Sequence, residues 1–148
     1  MIALDTSVLV QAEVSDSPAH EAALALIAAS RPAETDGRPF AIAPQVLTEF
    51  IHVVSDSKRF ARPLSVGQAI DRAEFWWSAR EVQRIVPDLE ATALFFRWMR
   101  FQNLGRKRIL DTYLAATYSA AGIRRLATSN GRDFAAFGAF EIIEVDAR

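Results

Sequence analysis

Short apolar runs alternate along this chain with longer stretches of helical periodicity, and that alternation restricts the fold more than any other feature. Residues 2–4, 40–43, 83–86, 124–127 and 140–145 are runs of strand length bounded by polar turns. Residues 7–12, 18–29, 44–54, 66–79, 89–102 and 110–121 repeat apolar positions at helical spacing. Strand followed by helix, repeated, predicts an α/β protein with helices on both faces of a central, mainly parallel sheet of about five strands. Ser17 before Pro18 marks a helix start with proline at the first helical position. Ser65 is placed to cap the helix opening at Val66, and Gly122 to end the helix closing at Ala121. The stretches 31–38 and 56–63 read as loops too short to link domains. With 148 residues, one domain over 1–148 is expected, burying roughly 68–70% of the surface its unfolded chain exposes.

Composition removes several chemistries. The chain has no cysteine, so disulfides, thiolate zinc sites and thiol nucleophiles are out. Its two histidines, His20 and His52, are far apart and form no ligand pair of the His-x-x-x-His kind, which argues against a zinc hydrolase. The apolar start is short and lacks a basic leader, and no apolar stretch approaches the ~20 residues that cross a bilayer. A cytoplasmic protein without a membrane partner is expected. The net charge of −1 excludes a broad polycationic surface. Local basic groups remain: Lys58, Arg59 and Arg62; Arg97, Arg100, Arg106, Lys107 and Arg108; Arg124, Arg125 and Arg132.

The carboxylates lie where elements meet. Asp5 closes the first apolar run, Glu49 lies within the helix 44–54, and Asp111 opens the helix 110–121. A polar turn from Thr128 through Asn130-Gly131 to Asp133-Phe134 follows the fourth strand. A parallel α/β sheet gathers ligand-binding residues at the carboxyl ends of its strands, so these acids can converge. Two carboxylates ~5 Å apart repel by about 3 kcal/mol at an effective dielectric near 20. A hard divalent cation with oxygen ligands relieves that repulsion, which points to a metal-dependent phosphodiesterase. Each acid also has an ordinary structural reading. Asp5 can cap the helix that follows, Asp111 suits the positive end of its helix, and Asp133 can cap a short helix containing Phe134. Glu49 sits at the border of the apolar face made by Val46, Phe50 and Val53, from which it can lean into a cleft or remain a solvated edge residue.

The helix 89–102 carries Leu94, Phe95, Phe96, Trp98, Met99 and Phe101 around most of its circumference, wider than one core contact can cover. Trp76 and Trp77 are adjacent and cannot both face one core. A homodimer, or a protein partner, is expected to cover part of the aromatic surface around Trp76, Trp77 and residues 95–101.

Four motifs in order resemble the PIN-domain family across nearly the whole chain. They are Met1-Ile2-Ala3-Leu4-Asp5-Thr6-Ser7-Val8-Leu9-Val10, Pro44-Gln45-Val46-Leu47-Thr48-Glu49-Phe50, Leu110-Asp111-Thr112-Tyr113-Leu114-Ala115-Ala116-Thr117, and Leu126-Ala127-Thr128-Ser129-Asn130-Gly131-Arg132-Asp133-Phe134. The segment Phe60-Ala61-Arg62-Pro63-Leu64-Ser65 is similar to VapC-type toxins of bacterial toxin–antitoxin pairs. The resemblance implies a PIN-like three-layer α/β/α sandwich acting as an endoribonuclease toxin. Such a toxin hydrolyses RNA with a metal-activated water, requires Mg²⁺ or Mn²⁺, and is held inactive by a cognate antitoxin. It makes Asp5, Glu49 and Asp111 the acidic metal-site and catalytic residues, with Asp133 the fourth. The chain departs from the family at Asn130, where an aspartate is common, so Asn130 is an alternative to Asp133 at the metal. Thr6, Thr128, Asn130, Arg106, Lys107, Arg108 and Arg132 are the expected substrate contacts, Thr6 and Thr128 bonding either a scissile phosphate or the carboxylates themselves, and Glu49 is the group that orients or deprotonates the water. Preference for RNA over DNA rests on the resemblance, since nothing in these residues reads a 2′-hydroxyl.

Two other readings compete. Haloacid-dehalogenase-like phosphatases also begin with a strand ending in aspartate, but need a second aspartate two positions later, where this chain has Ser7. A PIN-like binding scaffold without activity is the other, suggested by Asn130.

Overall fold

In a computed structural model, residues 1–30 and 37–147 are described. Residues 31–36 of the expected 31–38 loop fall outside them. The elements in chain order are β1 (Ile2–Leu4), α1 (Thr6–Glu13), α2 (His20–Ala29), β2 (Phe40–Ile42), α3 (Pro44–Val54), α4 (Val66–Ser78) and β3 (Val82–Arg84). There follow α5 (Leu89–Phe101), a 3₁₀ turn (Arg106–Arg108), α6 (Ile109–Ala120), β4 (Arg125–Thr128), α7 (Gly131–Ala135) and β5 (Glu141–Glu144).

The five strands form one sheet in the order β3-β2-β1-β4-β5, parallel throughout and flanked by the helices. Ile2, Ala3 and Leu4 of β1 and Phe40, Ala41 and Ile42 of β2 are all buried, as strands covered on both faces must be. The edge strands β3 and β5 keep exposed residues at Arg84, Glu141 and Glu144.

This strand order fixes where a ligand can bind. From β1 the chain builds outward through β2 to β3, then restarts on the other side with β4 and β5. In parallel α/β sheets ligands bind beyond the carboxyl ends of the strands at such a reversal, which here falls between β1 and β4. Leu4 pairs with Ala127, and the Asp5 N–H donates to the Ala127 carbonyl at 3.0 Å, so Asp5 and Thr128 leave the sheet side by side.

Some boundaries differ from the sequence expectation. Helix α2 starts at His20 rather than Pro18, because Gln11 of α1 ties down the approach: its Oε1 accepts from the Ala19 N–H at 3.0 Å and its carbonyl bonds His20 Nδ1 at 2.8 Å. Ser65 caps α4 in a reciprocal capping box with Gln68, and Gly122, at φ 77°, follows the end of α6. Trp76 is buried, its Nε1 donating to Glu13 at 2.8 Å, while Trp77 lies half-buried under Arg84. Trp76 therefore belongs to the chain's own core, and the open aromatic surface is formed instead by Phe75, Phe96 and Phe101. Among the described residues, no helix is long and apolar enough to cross a membrane.

Candidate active site

Asp5 stands at the N-cap position of α1, yet its side chain makes no capping bond. Its Oδ2 accepts instead from Ser7 Oγ and from Thr128 Oγ1, both at 2.7 Å. The same hydroxyls brace the neighbouring turn: the Ser129 N–H donates to Ser7 Oγ at 2.9 Å and the Asn130 N–H to Thr128 Oγ1 at 2.9 Å. The carboxylate is thus held by the hydroxyls of Ser7 and Thr128 rather than by the backbone N–H groups of its own helix, which removes the capping explanation for Asp5. Of the described bonds both hydroxyls use one oxygen, which leaves Oδ1 as a donor for a ligand.

Glu49 is exposed on α3 and is steadied by Thr6, whose Oγ1 donates to Oε2 at 2.9 Å. Thr6 and Thr128 thus hold carboxylates in this structure. Asp111, in the first turn of α6, is half-buried, and its carboxyl is pushed up to about 6. Burial is the largest cause, the charges of Asp5 and Glu49 come next, Arg108 opposes the shift, and Asp133 adds to it. The strand end after β1, helix α3 and helix α6 therefore bring Asp5, Glu49 and Asp111 within mutual electrostatic reach. Ser7 is the site residue that sequence reasoning passed over. The sequence offers it as the place where a phosphatase would need an aspartate, although its position two residues after Asp5 suits a bond to that carboxylate.

Asp133 does not cap α7. Asn130 holds the N-cap position, and Asp133 lies in the first turn, its Oδ2 accepting from Asn130 Nδ2 at 2.6 Å. Its Oδ1 pairs with Arg108 Nη1 at 2.5 Å, and Arg108 Nη2 donates to the Asp133 backbone carbonyl. Of the basic residues expected to meet substrate, Arg106, Lys107 and Arg132 are exposed, whereas Arg108 is engaged with Asp133.

Among the described residues, no group of three or more acidic or histidine side chains is already drawn close enough to hold an ion outright. The donor set still fits a hard divalent cation. It is made of carboxylate oxygens without sulfur or imidazole, and burial together with the charges of Asp5 and Glu49 disfavours ionisation of Asp111, which Arg108 offsets only in part.

Comparison with known proteins shows the fold and the family. The chain is 27% identical over 144 residues to Ribonuclease VapC24 of Mycobacterium tuberculosis, covering 93% of this chain and 92% of that protein. Its fold is similar to that of Mycobacterium tuberculosis VapC20, a sarcin–ricin loop cleaving toxin, with a TM-score of 0.70, 19% identity and 99% of both chains covered. It is also similar to VapBC2 from Rickettsia felis, solved bound to a promoter DNA fragment, with a TM-score of 0.64, 21% identity, and 99% and 100% of the two chains covered. The PIN-domain family model matches residues 2–139, nearly the full length, and the chain belongs to the PIN-domain family.

Proposed function

We propose that this chain is a metal-dependent endoribonuclease, the toxin of a type II toxin–antitoxin pair, acting in the cytoplasm as one PIN domain over residues 1–148. The observation that supports the reading is the electrostatic reach of Asp5 and Glu49 to Asp111, whose carboxyl burial and then those two charges push up, on elements flanking the point where the strand order reverses. Ribonuclease VapC24 and the sarcin–ricin loop cleaving VapC20 support RNA as the substrate class. With family membership shown and Ser7 where a second aspartate is needed, nothing favours the aspartyl-phosphate chemistry of the phosphatase alternative.

Asp5, Glu49 and Asp111 would hold Mg²⁺, or Mn²⁺ in its place. The ion would supply Lewis-acid stabilisation of charge developing on the phosphate and a lowered pKa for the attacking water. The protein's own groups do the rest. Ser7 and Thr128 keep Asp5 in one rotamer, so little order has to be imposed on binding. Glu49, exposed and held by Thr6, is placed to orient the water and accept its proton. Arg106, Lys107 and Arg132, exposed beside this edge, hold flanking phosphates, so binding weakens as salt rises. Leu110, 71% exposed and next to Asp111, together with Phe96 and Phe101, gives an antitoxin or a second copy of the chain an apolar surface beside the site.

The test is to incubate purified protein with mixed cellular RNA, with Mg²⁺ or with EDTA, and to map the ends produced. Discrete new ends that need Mg²⁺, and that vanish in Asp5→Asn and Asp111→Asn, support the reading. Cleavage by either variant at the wild-type rate removes the site assignment. Absence of cleavage and of Mn²⁺ binding would leave an inactive scaffold.

A further inference from the structure

Arg108 stands at the start of α6, three residues before Asp111, and reaches across to α7. Nη1 meets Oδ1 of Asp133 at 2.5 Å, Nη2 takes the Asp133 backbone carbonyl, and Asn130 Nδ2 takes Oδ2 at 2.6 Å. Both carboxylate oxygens that Asp133 would offer a metal therefore already have donors. The pair is partly withdrawn from water, with side-chain exposures of 20% for Arg108 and 36% for Asp133. Arg108 Nε is buried without a hydrogen-bond partner among the described residues, and Cζ lies 5.8 Å from the centre of the Phe137 ring. A guanidinium held this way, bidentate on one residue and against an aromatic face, is a fixed positive charge rather than a mobile phosphate ligand.

We propose that Arg108 is a built-in counter-ion standing where a second cation would otherwise be needed, so that Asp133 is a positioning residue and one divalent ion is held by Asp5, Glu49 and Asp111. This rests on the metal-dependent reading above and narrows it. The Arg108–Asp133 pair ties the N-cap of α6 to the first turn of α7. It thereby sets the spacing between Asp111 and the Thr128 that anchors Asp5.

The test counts Mn²⁺ ions by calorimetry and electron paramagnetic resonance on the full chain and its variants. Wild type should bind one ion per chain, and Asp111→Asn should weaken it by at least about tenfold. Asp133→Asn should keep one ion within about threefold of the wild-type Kd. Arg108→Gln should take two ions, because the freed Asp133 becomes a donor, and Arg108→Gln with Asp133→Asn should return to one. A merely structural pair would leave the count at one in Arg108→Gln, and that result overturns the proposal. So does an Asp133→Asn protein that loses affinity as severely as Asp111→Asn. If Asp133→Asn alone does not fold, the double variant, which removes both charges together, still reads the count. A wild-type protein that binds no Mn²⁺ removes the metal-dependent reading itself, and the counter-ion role with it.

Discussion

The Tyr118 hydroxyl donates to the backbone carbonyl of Leu4 at 2.8 Å, which bonds the helix carrying Asp111 to the strand residue directly before Asp5. The same hydroxyl accepts from the Ala43 N–H at 3.1 Å, immediately before the helix that carries Glu49. One fully buried side chain thus links the three elements that deliver the three carboxylates. Burial pushes the phenol well above its ordinary range, which keeps it protonated and able to donate.

Tyr118→Phe leaves the buried Ala43 N–H without its acceptor and the Leu4 carbonyl without its donor. A loss of about 1–3 kcal/mol is expected, read as a lower urea midpoint with an unchanged slope. A variant as stable as wild type would show that this linkage contributes nothing.

Gly131 opens α7 against β5. A Cβ there would lie 2.3 Å from Glu144 Oε1 and 2.8 Å from Ile142 Cγ2. The glutamate tip can swing away, but Ile142 is held in the sheet. Gly131→Ala should therefore cost about 1–3 kcal/mol, and Glu144→Ala added to it should restore only part of that. Full restoration by Glu144→Ala would show that Ile142 yields freely.

Asp111 gives metal-free stability a pH dependence of definite sign. Its carboxyl titrates near 3.8 when unfolded and is pushed up to about 6 when folded, so the folded state binds the extra proton between those values. The contribution is fully present below about pH 3.8 and is lost as pH rises through about 6. In EDTA at pH 7, Asp111→Asn should melt above wild type by roughly 2–4 °C, on the order of 1 kcal/mol once the carboxyl's contact with solvent is allowed for. The difference should shrink towards pH 4. A lower melting temperature for Asp111→Asn at pH 7 would mean that its charge is already compensated.

The strand–helix alternation identified five strands and six of the helices because each carries a complete local signal, an apolar run or an amphipathic repeat. The placement of Asp5 after β1, Glu49 within α3 and Asp111 in the first turn of α6 was legible for the same reason. What was hidden depends on side chains distant in sequence. The Arg108–Asp133 pair spans 25 positions, and Arg108 looked like one more member of a basic run. The short helix around Phe134 starts at Gly131 rather than after Asp133, an earlier start hidden by an Asn-Gly pair that reads as a turn, and the start of α2 moved because Gln11 bonds the backbone ahead of it. Trp76 and Trp77 showed that neighbours must face different ways, but the partner that chose between them, Glu13, lies 63 residues earlier.

The most direct measurement is an anomalous difference map from crystals of this chain grown with Mn²⁺. Expected is one strong peak among Asp5, Glu49 and Asp111, at metal–oxygen distances of roughly 2.0–2.4 Å, with Asp133 still paired to Arg108. A peak elsewhere, or none between Asp5 and Asp111, would contradict it.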